Sequence, residues 1–209
     1  MLSPHSLFGS EYSMASEVSI CNLALSHIGA SANISSLSEQ SEEAYHANLL
    51  YAETRDAVLR AHPWAFAARY KSLSTIGTAP GNWSYQYAYP NDCLKVRSIL
   101  QTRNTSAPIP YELGLADAYN ARVILTDQAE AVLFYTYQVV NPLAFDENFV
   151  QALSWRLAAE LAMPLTRDEN RMKAAYQMYQ AVLAEALQIN ANEAHLHNLL
   201  DAEWISGRA

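Results

Sequence analysis

The side chains that could do chemistry are few and scattered along this chain. Six His residues invite a metal reading, yet no His-Glu-x-x-His pattern occurs and neither Cys lies near a His in sequence. His195-Leu196-His197 would point its two rings to opposite sides of a helix; only an extended segment could present both to one ion. His27 and His46 fall within helical patterns and read as bundle or surface residues, while His62, before Pro63-Trp64, reads as a helix terminator. A cysteine nucleophile needs a base and an accessible thiol of depressed pKa. Cys93 stands between Asp92 and Leu94 at a strand start, where the acidic neighbour raises its pKa, so it reads as a core cysteine. No Gly-x-Ser-x-Gly elbow, phosphate loop or dinucleotide fingerprint is present, and six Gly leave little backbone to cradle phosphate. The carboxylate pairs Glu42-Glu43 and Asp168-Glu169 fall in the first turns of predicted helices, where they favour the macrodipole without catalysis. No catalytic, metal-binding or cofactor-binding residue is nominated, and an enzyme is the weaker hypothesis.

Charge and composition narrow the class further. The basic residues Arg55, Arg60, Arg69, Lys71, Lys95, Arg97, Arg103 and Arg122 are dispersed, and the formal net charge of −8 argues against a dedicated nucleic-acid binder. Arg69-Tyr70-Lys71 interleaves charge with an aromatic, but a strand end with one solvated face accounts for it. With 51% hydrophobic and 16% charged residues, the 209-residue chain has ample material for an ordered core. Its 13 Tyr suit either a partly buried subunit interface or a Tyr-rich sheet. Cys21 and Cys93 are too isolated for a disulfide framework and read as reduced, buried thiols of a protein made in a cytoplasm. Residues 1–14 lack the features of a signal peptide, Met14 could serve as an alternative start, and no run approaches membrane-spanning length. Asn33, Asn82 and Asn104 match the glycosylation pattern, which means nothing without secretion.

The elements that must hold these residues follow from periodicity and punctuation. Residues 17–29 predict a helix with Ile20, Leu23, Ala24, His27 and Ile28 on one stripe and Gly29 as its stop. Ser36 and Glu39 have capping-box spacing for a second helix through Arg60, with Tyr45, Leu49 and Ala52 on one face and Glu42, Glu43, Glu53, Arg55, Asp56 and Arg60 on the polar side. From Trp64 to Val140, short apolar stretches alternate with Gly, Pro, Asn and Asp breaks, predicting strands at 84–89, 94–101, 121–125 and 131–139. Helices return at the N-cap Asp146, with Phe145 and Val150 placed as a hydrophobic staple and Phe149, Leu153, Leu157 and Leu161 as a stripe that Met163-Pro164 stops. Thr166 and Glu169 predict another capping box, before a helix with Met172, Tyr176, Tyr179, Leu183 and Leu187 on one face, running to about Asn190. The fold expected is α+β: a four-helix bundle (17–62 and 146–190) carrying a β-rich insertion (63–145), a flexible N-terminal extension (1–16) and an extended C-terminal docking tail (191–209). Leu196, Leu199, Leu200, Trp204 and Ile205 are the partner-interface candidates in that tail, which is either frayed or an anchor.

Several phrases, taken in order, carry a resemblance. They are Ile20-Cys21-Asn22-Leu23-Ala24-Leu25-Ser26-His27-Ile28-Gly29-Ala30, Leu59-Arg60-Ala61-His62-Pro63-Trp64-Ala65-Phe66-Ala67, Tyr87-Ala88-Tyr89-Pro90-Asn91-Asp92-Cys93-Leu94, Ile124-Leu125-Thr126-Asp127, Tyr135-Thr136-Tyr137 and the stretch from Asp146 to Leu165. Over about residues 18–190 the chain resembles the head-to-tail adaptor proteins of tailed bacteriophages, the family of tail tubular protein A. That resemblance implies a virion protein, made in the host cytoplasm, that forms a homo-oligomeric ring of about twelve copies at the head–tail junction. Its partners would be the portal above and the tail nozzle or other tail proteins below, with no cofactor and no membrane. Genomic double-stranded DNA would cross the lumen without specific binding, and the acidic surface would keep it from sticking. The alternatives are a small-molecule-binding protein or enzyme, which needs a deep pocket with converging polar groups, and an assembly factor absent from the finished particle.

Overall fold

A capping box opens the helical layer. The Ser16 and Ser19 side chains each accept from the other's backbone N–H, at 2.8 and 3.0 Å, and α1 (Glu17–His27) runs from there. The predicted stop at Gly29 is realised as a left-handed residue with φ +67°. Gly29 N–H donates to the Ser26 carbonyl and Ala30 N–H to that of Leu25, a Schellman closure. The structure, a computed structural model, describes residues 15–30, 32–100, 109–116 and 120–200, except for the side chains of 189–200. The expected flexible extension therefore falls almost wholly outside the described residues.

Helix α2 (Glu42–Ala61) starts later than the Ser36–Glu39 spacing predicts. The Glu39 carboxylate accepts from the backbone N–H of Ser35 at 2.7 Å and of Ser36 at 3.4 Å, closing a turn, and Ser41 caps the helix by accepting from Ala44 N–H. Helix α3 (Glu147–Thr166) starts where expected, with Asp146 Oδ1 accepting from Phe149 N–H at 2.6 Å. The ring of Phe145 meets Phe149 at 4.7 Å, one residue short of the expected staple partner Val150. Pro164 does not stop α3. The Thr166 hydroxyl donates to the Ala162 carbonyl and Arg167 N–H to that of Met163, holding the last turn until Arg167 turns left-handed at φ 54°. Because the Thr166 hydroxyl is committed there, Asp168 is the cap of α4 (Glu169–Leu200), accepting from the N–H groups of Asn170 and Arg171.

Six strands lie between α2 and α3: β1 (Ala68–Ser72), β2 (Tyr85–Ala88), β3 (Cys93–Leu100), β4 (Tyr111–Ala116), β5 (Ala121–Thr126) and β6 (Val132–Tyr137). The four predicted strands correspond to β2, β3, β5 and β6, with residue 101 outside the described residues. β1 and β4 are not among them: Arg69-Tyr70-Lys71 reads as no more than a strand end with one solvated face, and Gly114 lies in the middle of the short apolar alternation of β4. The strands form two antiparallel sheets, ordered β1-β6-β3 and β2-β5-β4. The chain crosses between them at Leu73–Ile76: Leu73 N–H donates to the Ala131 carbonyl, then Ile76 N–H to Gln86. Tyr87, Cys93, Val96, Ile99, Ile124, Leu133 and Tyr135 fill one core from both sheets, a small sandwich.

The helices do not make a four-helix bundle. A bundle needs each helix to pack against two neighbours, whereas here α3 is the hub: α1, α2 and α4 each pack along it, α1 meets α2 only slightly, and α4 packs extensively on α3 alone. Composition explains it. Helix α3 buries Phe149, Ala152, Leu153, Leu157, Ala158, Ala159, Leu161 and Ala162, apolar or small residues over more than half its circumference. Among its described side chains, helix α4 buries the narrow stripe Ala175, Tyr179 and Ala186, so this part of it lies at the margin. Trp64, Val139 and, in part, Leu94 and Tyr137 join the same helical core, fastening the first sheet to it. The mixed α+β character stands; the bundle does not.

Three further expectations are corrected. Tyr45, Leu49 and Ala52 do not face inward: Tyr45 is 65% and Leu49 59% exposed, and α2 instead buries Ala44, Ala47, Tyr51, Thr54, Arg55, Val58 and Leu59. On α4 the expected stripe holds in part: Met172, Tyr179 and Leu183 pack on the core, while Tyr176 and Leu187 are exposed. No extended tail begins at residue 191, because α4 continues unbroken to Leu200; residues 201–209 lie outside the described residues. Among the described residues no helix is long and apolar enough to cross a membrane. These assignments separate two substitutions by size: Phe149→Ala should cost about 3–5 kcal/mol of unfolding free energy, and Leu49→Ala about 0.5 kcal/mol or less. Urea unfolding followed by circular dichroism checks both, and equal costs would refute the orientation of α2.

Candidate protein-docking interface

The motifs singled out in the sequence land in packing roles. In the Tyr87–Leu94 phrase, the buried Tyr87 donates its hydroxyl to the Gln128 carbonyl at 2.8 Å, and Cys93 N–H closes the turn onto the Pro90 carbonyl. Asp92 is the polar centre of the turn. Its carboxylate accepts from Arg69 Nη1 at 2.9 Å and from the Tyr135 hydroxyl at 3.2 Å, and its carbonyl accepts from Gln138 N–H. The Arg69 guanidinium lies 3.7 Å over the Tyr137 ring, so one acidic residue ties β1, β6 and the turn before β3 together. Arg122 covers Tyr89 at 3.9 Å, and burial, reinforced by Cys93, pushes the Tyr89 phenol up to about 12. Burial raises the Cys93 thiol as well, and burial with the nearby Glu17 pushes Cys21 up to about 12. Both thiols are held protonated, the opposite of a nucleophile's needs.

One pair has the identity, though not the orientation, of nucleophile and base. His27 Nε2 lies 3.2 Å from Ser154 Oγ, and the His27 ring stacks on Trp155 at 3.5 Å. Ser154 is fully buried and donates its own proton to the Gln151 carbonyl at 2.9 Å. Its oxygen therefore accepts from His27, whereas a general base would have to accept from the serine. The arrangement joins α1 to α3. Among the described residues no three His, Cys, Asp or Glu side chains gather as a metal cage.

The polar links between helices and sheets are also closed. Arg97 donates Nη2 to the Trp64 carbonyl at 2.7 Å and Nε to Thr136 Oγ1 at 2.9 Å, and Lys95 Nζ donates to the Arg60 carbonyl at 3.2 Å. Gln138 Nε2 reaches Asp56, which also pairs with Arg55 at 2.8 Å. Arg171 donates to the Ile28 carbonyl, placing a cation at the end of α1 just as Lys95 does at the end of α2.

Among the described residues, a broad polar cleft of about 720 Å³ opens between the start of α2, at Glu39, Glu42, Tyr45 and His46, and the end of α3, at Pro164 and Arg167. A groove of about 290 Å³ runs between α3 and α4, lined by Ala159, Glu160, Met172, Lys173, Tyr176 and Gln177. Its charged groups are paired: Glu160 with Arg156 at 2.6 Å, and Lys173 with Glu169 at 2.7 Å. The Arg156 guanidinium also lies 5.2 Å from the Tyr176 ring centre. On the flank of α2, the exposed stripe Tyr45, Leu49 and Ala52 faces outward. Of the residues nominated for docking, Leu196, Leu199 and Leu200 fall in the last turns of α4, while Trp204 and Ile205 lie outside the described residues. The sequence reasoning missed the outward stripe of α2. Its signal was present, since large apolar residues recur at 45 and 49 opposite the alanines at 44 and 47, and it was read as the inner face.

Set against models of known protein families, the chain has no match, and none among curated proteins.

The half-buried His27 and the buried His62 set a pH dependence. Burial holds His27 below its ordinary value of about 6.5, and burial lowers His62 too, against the opposing pull of Asp146. Below about pH 6.5 the unfolded chain takes up protons that the folded state resists, so stability is full above that pH and falls as pH drops towards the folded-state values. His27→Phe, which keeps a ring on Trp155, should remove part of that loss. Urea midpoints at pH 7.5 and 5.5 test this; a variant with the wild-type difference would deny His27 a share.

Proposed function

We propose that this chain is a structural virion protein, a head-to-tail adaptor that closes into a ring of about twelve copies beneath a portal. The ring carries the tail nozzle or other tail proteins and lets double-stranded DNA pass through its lumen. The reading rests on the ordered phrases that resemble phage adaptors, and one structural observation supports it most: α4 outruns the helix it packs on. Twenty residues of α3 make about 30 Å of helix and thirty-two of α4 about 48 Å, leaving an overhang of about 18 Å. A lone helical arm of that length gains little stability by itself and calls for a partner. Leu196, Leu199 and Leu200 share one stripe of it by their spacing, with Trp204 and Ile205 following in sequence. In this reading the arm and the residues after it dock on the portal, while the sandwich faces the tail components. The net charge of −8 suits a lumen past which a polyanion slides.

Native mass of the purified protein, alone and mixed with the portal of the same particle, tests the proposal. The expected species is a ring of about 280 kDa, twelve times the 23.2 kDa chain. A chain that remains monomeric with the portal would overturn it. Trp204→Ala should weaken portal capture at least tenfold with an unchanged circular dichroism spectrum; undiminished capture would remove the C-terminal segment from the contact.

A further inference from the structure

One edge of the first sheet is left open at β1, and the hydrogen bonds around it show why. Two of them fix the phase of the β1–β6 ladder: Tyr137 N–H donates to the Ala67 carbonyl and Leu73 N–H to that of Ala131, both at 2.9 Å. In an antiparallel pair, residues that exchange bonds with the partner strand alternate with residues whose N–H and C=O point away. The register from Ala68↔Thr136 to Ser72↔Val132 therefore turns the backbone of Arg69 and Lys71 towards β6, and that of Ala68, Tyr70 and Ser72 to the other side. Ala68 agrees, since its N–H donates to the Ala65 carbonyl instead. Further along, the same outward row is paired: Ala88 N–H donates to the Ser74 carbonyl and Ile76 N–H to that of Gln86. Continuing that register would set Ser72 opposite Pro90, which has no N–H to give. β2 ends at Ala88, and the backbone groups of Tyr70 and Ser72 keep an open side among the described residues.

The side chains of this edge select what can fill it. Tyr70 is 64% exposed and its ring stacks on Phe134 at 4.6 Å, while Arg69 and Lys71 stand on the opposite face of the strand. Arg69 is paired with Asp92 at 2.9 Å, but the exposed Lys71 makes no ion pair among the described residues. β1 thus carries cations and no carboxylate in a chain of net charge −8. Cations on an open edge keep like edges apart, because a second copy of β1 would set cation against cation. The same cations favour a strand that brings carboxylates. A newcomer bonded to Tyr70 and Ser72 meets Lys71 at a non-bonded position, where facing side chains come closest. Opposite Tyr70 it meets an exposed aromatic ring, which a β-branched side chain complements.

We propose that the edge of β1 receives an extended acidic segment of another protein. The segment adds a strand beyond β1, with apolar residues opposite Tyr70 and Ser72 and carboxylates opposite Arg69 and Lys71. Main-chain bonds supply the attachment, and the alternation of charge with apolar bulk selects the partner. The inference goes beyond the adaptor reading, which assigns no role to this edge.

Amide hydrogen exchange, read at single residues of the full chain, tests it with the end-blocked peptide Thr-Glu-Val-Glu-Val-Glu-Thr. In the free protein the Tyr70 and Ser72 amides should exchange fast, and those of Arg69 and Lys71 slowly. Saturating peptide should slow Tyr70 and Ser72. The same peptide with both valines N-methylated, or with lysine for every glutamate, should not bind. Lys71→Glu, at an exposed position, should weaken the acidic peptide by about threefold to tenfold with an unchanged circular dichroism spectrum, and should admit the lysine peptide. Tyr70 and Ser72 amides already slow in the free protein would mean that the edge is filled, and amides that the peptide does not slow would mean that it receives no strand. Equal binding of the acidic and lysine peptides, or binding that survives N-methylation, would also overturn the proposal. A chain that captures the portal as a ring but ignores the peptide would defeat this inference alone. A chain that binds the peptide yet stays monomeric with the portal would leave it standing and defeat the adaptor reading.

Discussion

Everything in this molecule is arranged around the burial of α3. A twenty-residue helix with apolar or small residues over most of its surface cannot lie at the margin of a domain, because too much of it would face water. Three helices and the near edge of a sheet are needed to cover it, and those are the elements the chain supplies. The aromatic cluster at its N-terminal end fixes the junction: Trp64 meets Phe149 edge-on at 5.2 Å, Phe66 meets Phe149 at 5.1 Å, and the Trp64 indole donates to the Val58 carbonyl at 2.9 Å. Those contacts tie the end of α2, the loop into β1 and the start of α3 to one point.

A central helix also dictates the shape of its neighbours. Ala152, Ala158 and Ala162 let other helices approach closely, and α2 answers with Ala44 and Ala47 on its inner face. Small residues on both sides of a contact leave the bulk of α2's apolar content to point elsewhere. The exposed Tyr45 and Leu49 are the consequence, as are Tyr176 and Met178 on α4, which shares α3 with two competitors and, among its described side chains, buries one stripe. The outward apolar surface and the deep burial of α3 thus share one cause.

That cause also decides what was legible in the sequence. Helix boundaries were readable where a local signal fixes them, as Ser16, Gly29 and Asp146 do through a cap or a left-handed residue. They failed where two candidates competed within a few residues: Glu39 draws its turn away from the helix and leaves Ser41 to cap it, and Pro164 is outweighed by the closing bonds of Thr166 and Arg167. Which face of α2 points inward depends on how near α3 lies: the large residues at 45 and 49 and the alanines at 44 and 47 are both visible in the sequence, and close approach of α3 puts the small ones inside. The hub arrangement was not readable, since four amphipathic patterns fit a bundle until the full apolar girth of α3 is set against the narrow stripe of α4. β4 alternates as Tyr111, Leu113 and Leu115, but Gly114 lies within it and its leucines are exposed, so the pattern does not mark a buried face. The docking residues at 196–205 were nominated by composition, a signal that identifies apolar side chains without saying what covers them.

The distribution of satisfied and unsatisfied groups weighs on the choice between catalysis and assembly. Catalysis needs polar groups aimed at a space that substrate can occupy, with pKa values moved towards the working pH. Here burial moves the cysteines and the buried tyrosines away from it, into their neutral forms. The carboxylate of Asp92 and the guanidinium groups of Arg69 and Arg97 are aimed at other parts of the protein, where they lock strand to strand within the first sheet and that sheet to the segment after α2. Among the described residues the exposed apolar surface lies on the outer stripe of α2 and in the groove beside α4, and the buried Tyr51 hydroxyl has no hydrogen-bond partner. Free energy still available to a folded chain in exposed apolar surface is released by covering that surface.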